Sequence, residues 1–315
     1  MPTCLGGERL DVVAAALFPV FSRTRLQQWI KQGALRFEGK VMRSRDKVFA
    51  GGLIALEEQL DEEIKWTPQA IEIDVVAEDN SIIIVNKPAG MVVHPAIGHK
   101  DGTLVNALLD HSPQLSKVPR AGIVHRLDQD TTGLLVVAKS LEAHHSLVSQ
   151  IQQKTMERQY CAVCVGAMTG GGTVNQSIGR HARYRQKMAV VSERGKTAIT
   201  HYRIARRFEH FTQINVKLET GRTHQIRVHM EHIRHPLVGD SMYGGKNKFI
   251  SGTSKNLIKK ISLFNRQALH AQSLSFRHPD NEQIVCFEAP IPSDLSDLLI
   301  LLEKEDLETL TPNDY

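Results

Sequence analysis

The stretch Gly122-Ile123-Val124-His125-Arg126-Leu127-Asp128-Gln129-Asp130-Thr131-Thr132-Gly133-Leu134-Leu135 decides how this chain is read. Apolar Ile123, Val124 and Leu127 lead into a polar turn, and residues 134–138 lead away as an all-apolar strand. Asp128 is therefore expected on a loop held between rigid elements. Thr131, Thr132 and Gly133 offer hydroxyls and a close backbone able to orient a carboxylate, which is how a lone aspartate becomes a positioned nucleophile. From spacing alone, an aspartate that merely caps a turn is the simpler reading.

Working outward, strands are expected at residues 73–76, 82–85, 160–165, 198–203, 213–218 and 273–276. Thr103 can cap a helix carrying Leu104, Ala107 and Leu108 on one face, and Ser140 another carrying Leu141, Val148 and Ile151. Several strands in succession with occasional helices predict an α+β fold with a mixed, largely antiparallel sheet and flanking helices.

The 315 residues exceed one ordinary domain of about 150 residues. The longest apolar run, residues 12–18, is far short of the roughly 18 residues a membrane span needs. It follows an acidic residue rather than a basic cluster, so neither a membrane segment nor a secretory signal is expected. Four cysteines give no disulfide framework and suit a reducing cytoplasm. The overall charge of +5 hides an uneven distribution: residues 1–56 carry +5, residues 57–80 carry −8, residues 81–300 carry +12 and the last fifteen carry −4. Two basic bodies on either side of an acidic connector favour a polyanionic partner, most simply a nucleic acid.

In the first body, Leu10, Val13, Ala14 and Leu17 suggest a helix stopped by Pro19. A second begins at Ser22, carries Leu26, Trp29 and Ile30, and ends at Gly33. Short strands follow around a turn at Glu38-Gly39. This order, with Arg9-Leu10-Asp11, Ser22-Arg23, Ile30-Lys31-Gln32-Gly33 and Gly39-Lys40, resembles the S4 RNA-binding domain. Phe37-Glu38 and Gly52 depart from its usual pattern. The resemblance implies a small S4-like RNA-binding domain over residues 1–60, an acidic linker over 61–72 and a catalytic domain over 73–315. Arg23, Arg25, Lys31 and Lys40 are its expected phosphate contacts, which give affinity but little sequence information.

The opening stretch itself closely resembles the His-Arg-Leu-Asp-x-x-Thr-(Ser/Thr)-Gly-Leu-Leu signature of the RluA family of pseudouridine synthases. Asn86-Lys87-Pro88-Ala89-Gly90, Arg158-Gln159-Tyr160, Leu218 through His229, His235-Pro236-Leu237-Val238-Gly239-Asp240 and Leu269-His270-Ala271 extend the match over nearly the whole chain. The resemblance implies the pseudouridine-synthase fold and an isomerase that needs no cofactor and no metal. Breaking the C1′–N1 bond, turning the uracil and rejoining it through C5 requires no redox step. Glycoside hydrolysis uses two carboxyl groups and an attacking water; here the uracil must be kept, and one carboxylate suffices.

By that resemblance Asp128 attacks the sugar or sets up loss of its 2′ proton. Arg227 pairs with Asp128 and fixes its direction, with Arg222 as the competing partner and an RNA contact in its own right. Tyr160 stacks on the uracil, although a phenol with a pKa near 10 is a poor base unless perturbed. Arg126 fills the gap left when the target base leaves its stack. After the glycine run 170–172, the stretch Gly179 to Lys187 gathers Arg180, Arg183, Arg185 and Lys187 around Tyr184, as a mobile RNA-contacting loop would.

With an S4-like module in front, the chain looks like those family members that modify the helix 69 hairpin of large-subunit (23S) ribosomal RNA. The implied partners are that RNA and large-subunit assembly intermediates, met by a monomer in the cytoplasm. Related synthases with other RNA targets carry the module too. A silent RNA-binding assembly factor and an RNA glycosylase releasing free uracil are the alternatives from other classes. Cys161 and Cys164 match a Cys-x-x-Cys spacing but fall in an expected strand, where they face opposite sides. His229, His232 and His235 lack the His-Glu-x-x-His order and read as RNA-facing or structural.

Overall fold

Strand Ile82–Lys87 (β4) and strand Thr132–Ala138 (β5) each contain a run of buried apolar residues, and they pair antiparallel with Ile82 opposite Ala138 and Lys87 opposite Gly133. The computed structural model describes residues 5–18, 21, 23–57, 66–95, 101–184, 186–244 and 253–310. These separate into two compact units, Met1–Lys65 and Trp66–Tyr315.

In the first unit, helices Leu10–Leu17 (α1) and Arg23–Gln32 (α2) precede a two-stranded ribbon of Leu35–Phe37 (β1) and Ile54–Leu56 (β2). Leu10, Val13, Leu26, Trp29, Ile30, Leu35 and Phe37 form its core. Asp11 is buried within this unit and accepts hydrogen bonds from Arg9 Nε (3.0 Å), Arg23 Nη2 (2.8 Å) and Gln27 Nε2 (2.6 Å). Ser22 and Pro19, the expected cap and stop, lie outside the described residues.

The second unit is built on a nine-stranded sheet. Besides β4 and β5 it contains Asp74–Glu78 (β3), Glu157–Val165 (β6), Gly172–Asn175 (β7), Ile199–Arg207 (β10), Phe211–Leu218 (β11), Leu269–Arg277 (β12) and Ile284–Glu288 (β13). The spatial order is β3-β4-β5-β12-β6-β11-β10-β7, with β13 also on β12. Every neighbouring pair is antiparallel except β5 with β12. The fold is α+β, with helices Leu104–His111 (α3) and Leu141–Gln152 (α4), then Gln225–His232 (α5), Lys255–Ser262 (α6) and Ser293–Leu310 (α7). Ser140 caps α4, its Oγ accepting the Ala143 N–H at 3.1 Å.

The period of two along β6 divides the core. Tyr160, Ala162 and Cys164 join the face that carries Ile83, Val85, Leu135, Val137 and α3. Cys161, Val163 and Val165 join the opposite face, covered by α6 and α7 through Leu257, Ile261, Leu295 and Leu298. The two thiols therefore point away from each other across the sheet, and burial pushes both pKa values up.

Two expectations are corrected. Residues 61–65 of the expected linker lie outside the described residues, but 66–72 is no free connector. Trp66 and Ile73 pack on the core, Asn106 Nδ2 donates to the Thr67 carbonyl (2.8 Å), and the Gln69 N–H donates to the Asn106 carbonyl (3.0 Å). Acidic composition concealed a large apolar side chain that gains from burial. The basic stretch after Gly179 is a hairpin rather than a loose loop. Ile178–Arg180 (β8) pairs with Met188–Val190 (β9), and His181 N–H donates to the Lys187 carbonyl at 3.0 Å. Gly172 opens β7, paired with Tyr202 of β10.

Candidate active site

Glycines at both ends hold the Asp128 loop against the sheet. Gly122 has φ +78 and Gly133 φ +110; a Cβ would stand 2.0 Å from the Ala138 carbonyl oxygen at the first and 2.2 Å from that of Ala271 at the second. Only glycine fits such approaches with positive φ. Between them residues 128–132 are all tied. The Thr131 N–H donates to the Asp128 carbonyl (3.1 Å), closing a turn. Gln267 Nε2 donates to Thr131 Oγ1 (2.9 Å), and Thr132 Oγ1 bonds His270 Nδ1 (2.9 Å). The two threonine hydroxyls thus fasten the loop to the β12 region and do not orient the Asp128 carboxylate as expected. Their reach across to β12 is set by the parallel β5·β12 pairing, which the local sequence does not reveal.

Lys87, wholly buried at the end of β4, donates its three ammonium protons to the carbonyls of Pro88 (2.6 Å), Met91 (3.0 Å) and Gln129 (2.7 Å). Burial, partly offset by Asp130 and Asp128, pulls its pKa down to about 8. Its position beside Asp128 adds a positive charge beneath the loop.

The carboxylate itself is directed from α5. Arg227 Nη1 donates to Asp128 Oδ2 at 3.1 Å, while its Nε and Nη2 grip Asp240 at 2.7 and 3.0 Å. Asp240 is buried, and its Oδ1 also accepts the N–H groups of Met242 and Tyr243, both at 3.0 Å. This bidentate brace leaves Nη1 to reach Asp128 and fixes its aim. Burial works against the Arg227 charge, but Asp240 and then Asp128 outweigh it and hold the group protonated above its ordinary range. Arg222, the competing partner, instead donates from Nε to the Thr197 carbonyl (3.0 Å) at the exposed edge.

His224 approaches Asp128 from the other side, its Nε2 3.9 Å from Oδ1. It caps α5 with φ +57, a left-handed conformation costing about 1 kcal/mol or more. Its Nδ1 lies 2.8 Å from the Tyr243 hydroxyl, which already accepts the Met188 N–H at 2.9 Å. Burial keeps the imidazole neutral and raises the phenol to about 12. A phenol that donates to Nδ1 puts the imidazole proton on Nε2, facing Asp128. The chain of contacts starts on β9: the Met188 N–H, the Tyr243 hydroxyl and His224 Nδ1 are hydrogen-bonded in series, and His224 Nε2 then faces Asp128 across 3.9 Å.

Asp128 opens into a cleft of about 830 Å³ whose lining includes Arg126, Arg158, Tyr160, Arg222 and His224. Tyr160 is buried on β6; burial raises its pKa, Arg158 lowers it and Asp128 raises it again, with a net rise. The phenol therefore keeps its proton and is further from acting as a base than a free tyrosine. Arg126 is exposed at the rim and makes no hydrogen bond or ion pair among the described residues.

The other expected contacts lie elsewhere. Lys31 and Lys40 are exposed in the first unit. Arg23 is tied to Asp11, and Arg25 lies over the rings of Trp29 (4.8 Å) and Phe21 (5.7 Å). Arg180 and Arg183 are exposed on the β8–β9 hairpin, with Arg183 5.6 Å from the Tyr184 ring centroid. Arg185 lies outside the described residues. His229 is buried and bonds Thr200 Oγ1 (2.8 Å) and the Gln176 carbonyl (3.0 Å), a structural role. Sequence reasoning assigned no part to Lys87, His224, Asp240 or Tyr243. The first three stand inside quoted motif stretches, and that was the one signal available for them.

A single loop-borne aspartate, held by a braced arginine, faces a cleft lined by five cationic side chains against two carboxylates, an arrangement suited to a polyanionic ligand. Comparison with known proteins specifies the class further. Residues 81–232 match the family described as RNA pseudouridylate synthase. The chain is 52% identical over 305 residues to ribosomal large subunit pseudouridine synthase D of Pseudomonas aeruginosa, covering 97% of this chain and 95% of that protein. It is 47% identical over 310 residues to the protein of the same name from Vibrio vulnificus, covering 98% and 95%. The solved structure of human RNA pseudouridylate synthase domain containing 4 shares the fold, with a TM-score of 0.58 at 23% identity over 73% of this chain and 93% of that one. The chain belongs to the RNA pseudouridylate synthase family, in its RluA branch, and is an RNA pseudouridine synthase.

Proposed function

We propose that the protein converts uridine to pseudouridine in 23S ribosomal RNA, at the helix 69 hairpin of the large subunit, as a cytoplasmic enzyme acting on the free RNA or on assembly intermediates. The observation that carries this reading is the near full-length similarity, at about half identity, to proteins named for the ribosomal large subunit. Exposed Lys31 and Lys40 of the first unit, read as an S4-like module, support docking on structured RNA.

In this reading Asp128 is the nucleophile. It attacks C1′ as the C1′–N1 bond breaks, or takes the 2′ proton as that bond breaks to leave a glycal; the retained uracil turns, C5 joins C1′ as the Asp128 ester is displaced or as C2′ regains its proton, and the C5 proton leaves as N1 gains one. Arg227 holds the carboxylate on line. Tyr160 packs against the base, its phenol protonated. Arg126 at the rim takes the place of the extruded base, and Arg222, with Arg180 and Arg183 of the hairpin and with Arg185, contacts backbone phosphates.

The test is to incubate the protein with a transcribed fragment containing helix 69 and to map pseudouridine at single-nucleotide resolution. Modification confined to that hairpin is expected. Modification elsewhere in ribosomal or transfer RNA would retain the synthase and replace its target.

A further inference from the structure

Arg158 is the second residue of β6 and is only 4% exposed, yet it makes no hydrogen bond or ion pair among the described residues. A guanidinium buried without a partner is costly, and buried charges are ordinarily paired. Neither carboxylate of the cleft supplies the pair: Asp128 is held by Arg227, and Glu219 by Lys154 (2.8 Å) and His201 (2.7 Å). Arg158 lines the same cleft as Asp128 and stands two residues before Tyr160, so both side chains share one face of β6. His125, on the same cleft wall, likewise has a buried Nδ1 without a partner. Gly221 lies close against the guanidinium: a Cβ there would stand 2.7 Å from Arg158 Nη1.

We propose that Arg158 forms an anion subsite of the cleft, pairing with an anionic oxygen of the substrate nucleotide, either of its phosphodiester or of the uracil once detached. This rests on the reading that a uridine of RNA enters the cleft. Beside Tyr160, the two sources lie on either side of the same nucleotide. A phosphodiester is anionic throughout, whereas the uracil oxygen gains its charge as the C1′–N1 bond breaks. A preplaced cation would then act where charge develops.

The experiment compares wild type, Arg158→Met, Arg158→Lys and Gly221→Ala on one RNA substrate, measuring melting temperature, RNA affinity across salt and single-turnover rate. Arg158→Met is expected to melt no lower than wild type, because it removes an unpaired buried charge, and to lose roughly 100-fold in single-turnover efficiency. Arg158→Lys recovers part of the loss. Gly221→Ala, which shifts the guanidinium without changing charge, loses the same parameter to a smaller extent. If the phosphodiester is the ligand, the loss is in affinity and the slope of log affinity against log salt shrinks by about one. If the uracil oxygen is the ligand, affinity and slope stay while the maximal rate falls. Unchanged kinetics in Arg158→Met would overturn the proposal, as would a drop in melting temperature with activity tracking the folded fraction. A wild-type protein that modifies no uridine would instead overturn the reading on which it rests.

Discussion

Each unit of this protein has a buried aspartate gripped by arginine, and the two clusters differ in where the charge is left. In the first unit Asp11 accepts from Arg9, Arg23 and Gln27, and the two arginines remain about half exposed at 49% and 51%. Two cations on one anion leave a positive charge facing water. In the catalytic unit Asp240 grips Arg227, which is itself buried, and its Nη1 donates to Asp128. The same acid–arginine chemistry makes a surface cation in one place and an aiming device in the other. Exposure decides which, since a solvated ion pair contributes little while a buried one is costly to break.

Replacing the brace gives the largest effect of this comparison. Asp240→Asn leaves a buried guanidinium with half its partners, and stability is expected to fall by about 3–5 kcal/mol. The catalytic rate should fall about 100-fold through misdirection of Arg227. Chemical denaturation and single-turnover kinetics check both, and an unchanged rate would mean the brace does not aim Asp128.

Asp11→Asn is expected to be milder, about 2 kcal/mol, and confined to the first unit. Trp29 fluorescence in a Trp66→Phe background reports on that unit alone. Burial pushes the Asp11 carboxyl up, but donation from Arg23, Gln27 and Arg9 outweighs it and leaves the pKa below 3.8. With the folded pKa depressed, the stabilisation is complete above the unfolded value near 4 and is lost as pH falls through the folded value. Wild type should therefore lose first-unit stability below about pH 4, and Asp11→Asn should show no such acid-linked step.

The smallest effect separates engaged cations from available ones. Lys40→Ala is expected to leave folding within about 0.5 kcal/mol of wild type and to reduce the salt slope of RNA binding by about 0.9. Arg23→Ala should instead unfold the first unit in part. Equal salt slopes in the two variants would contradict the distinction.

The parts of this structure that were legible in the sequence are those set by local pattern. Strands β4, β5, β6, β10 and β11 follow apolar runs or alternation, and α3 and α4 follow their caps. Helix α7 has Leu295, Leu298 and Leu302 at helical spacing, and β13 is the short apolar run Ile284-Val285-Cys286-Phe287; both are local signals that the sequence reading does not use. The Arg227–Asp240 pair is a different matter. Thirteen residues, a helix and a turn separate the partners, so nothing in their spacing marks the contact. The same holds for Thr132 with His270, joined only by the parallel pairing of β5 and β12. Trp66 shows composition misleading the eye, because an acidic segment conceals one residue that docks.

The most direct test of Asp128 as nucleophile is single-turnover conversion of a large-subunit RNA fragment by wild type and Asp128→Asn, with RNA affinity measured alongside. The asparagine keeps the shape of the loop and one acceptor for Arg227. With Asp128 as nucleophile, the variant is expected to bind RNA within about twofold of wild type, roughly 0.4 kcal/mol, and to form no detectable pseudouridine. Pseudouridine formed by Asp128→Asn at a rate near wild type would contradict it.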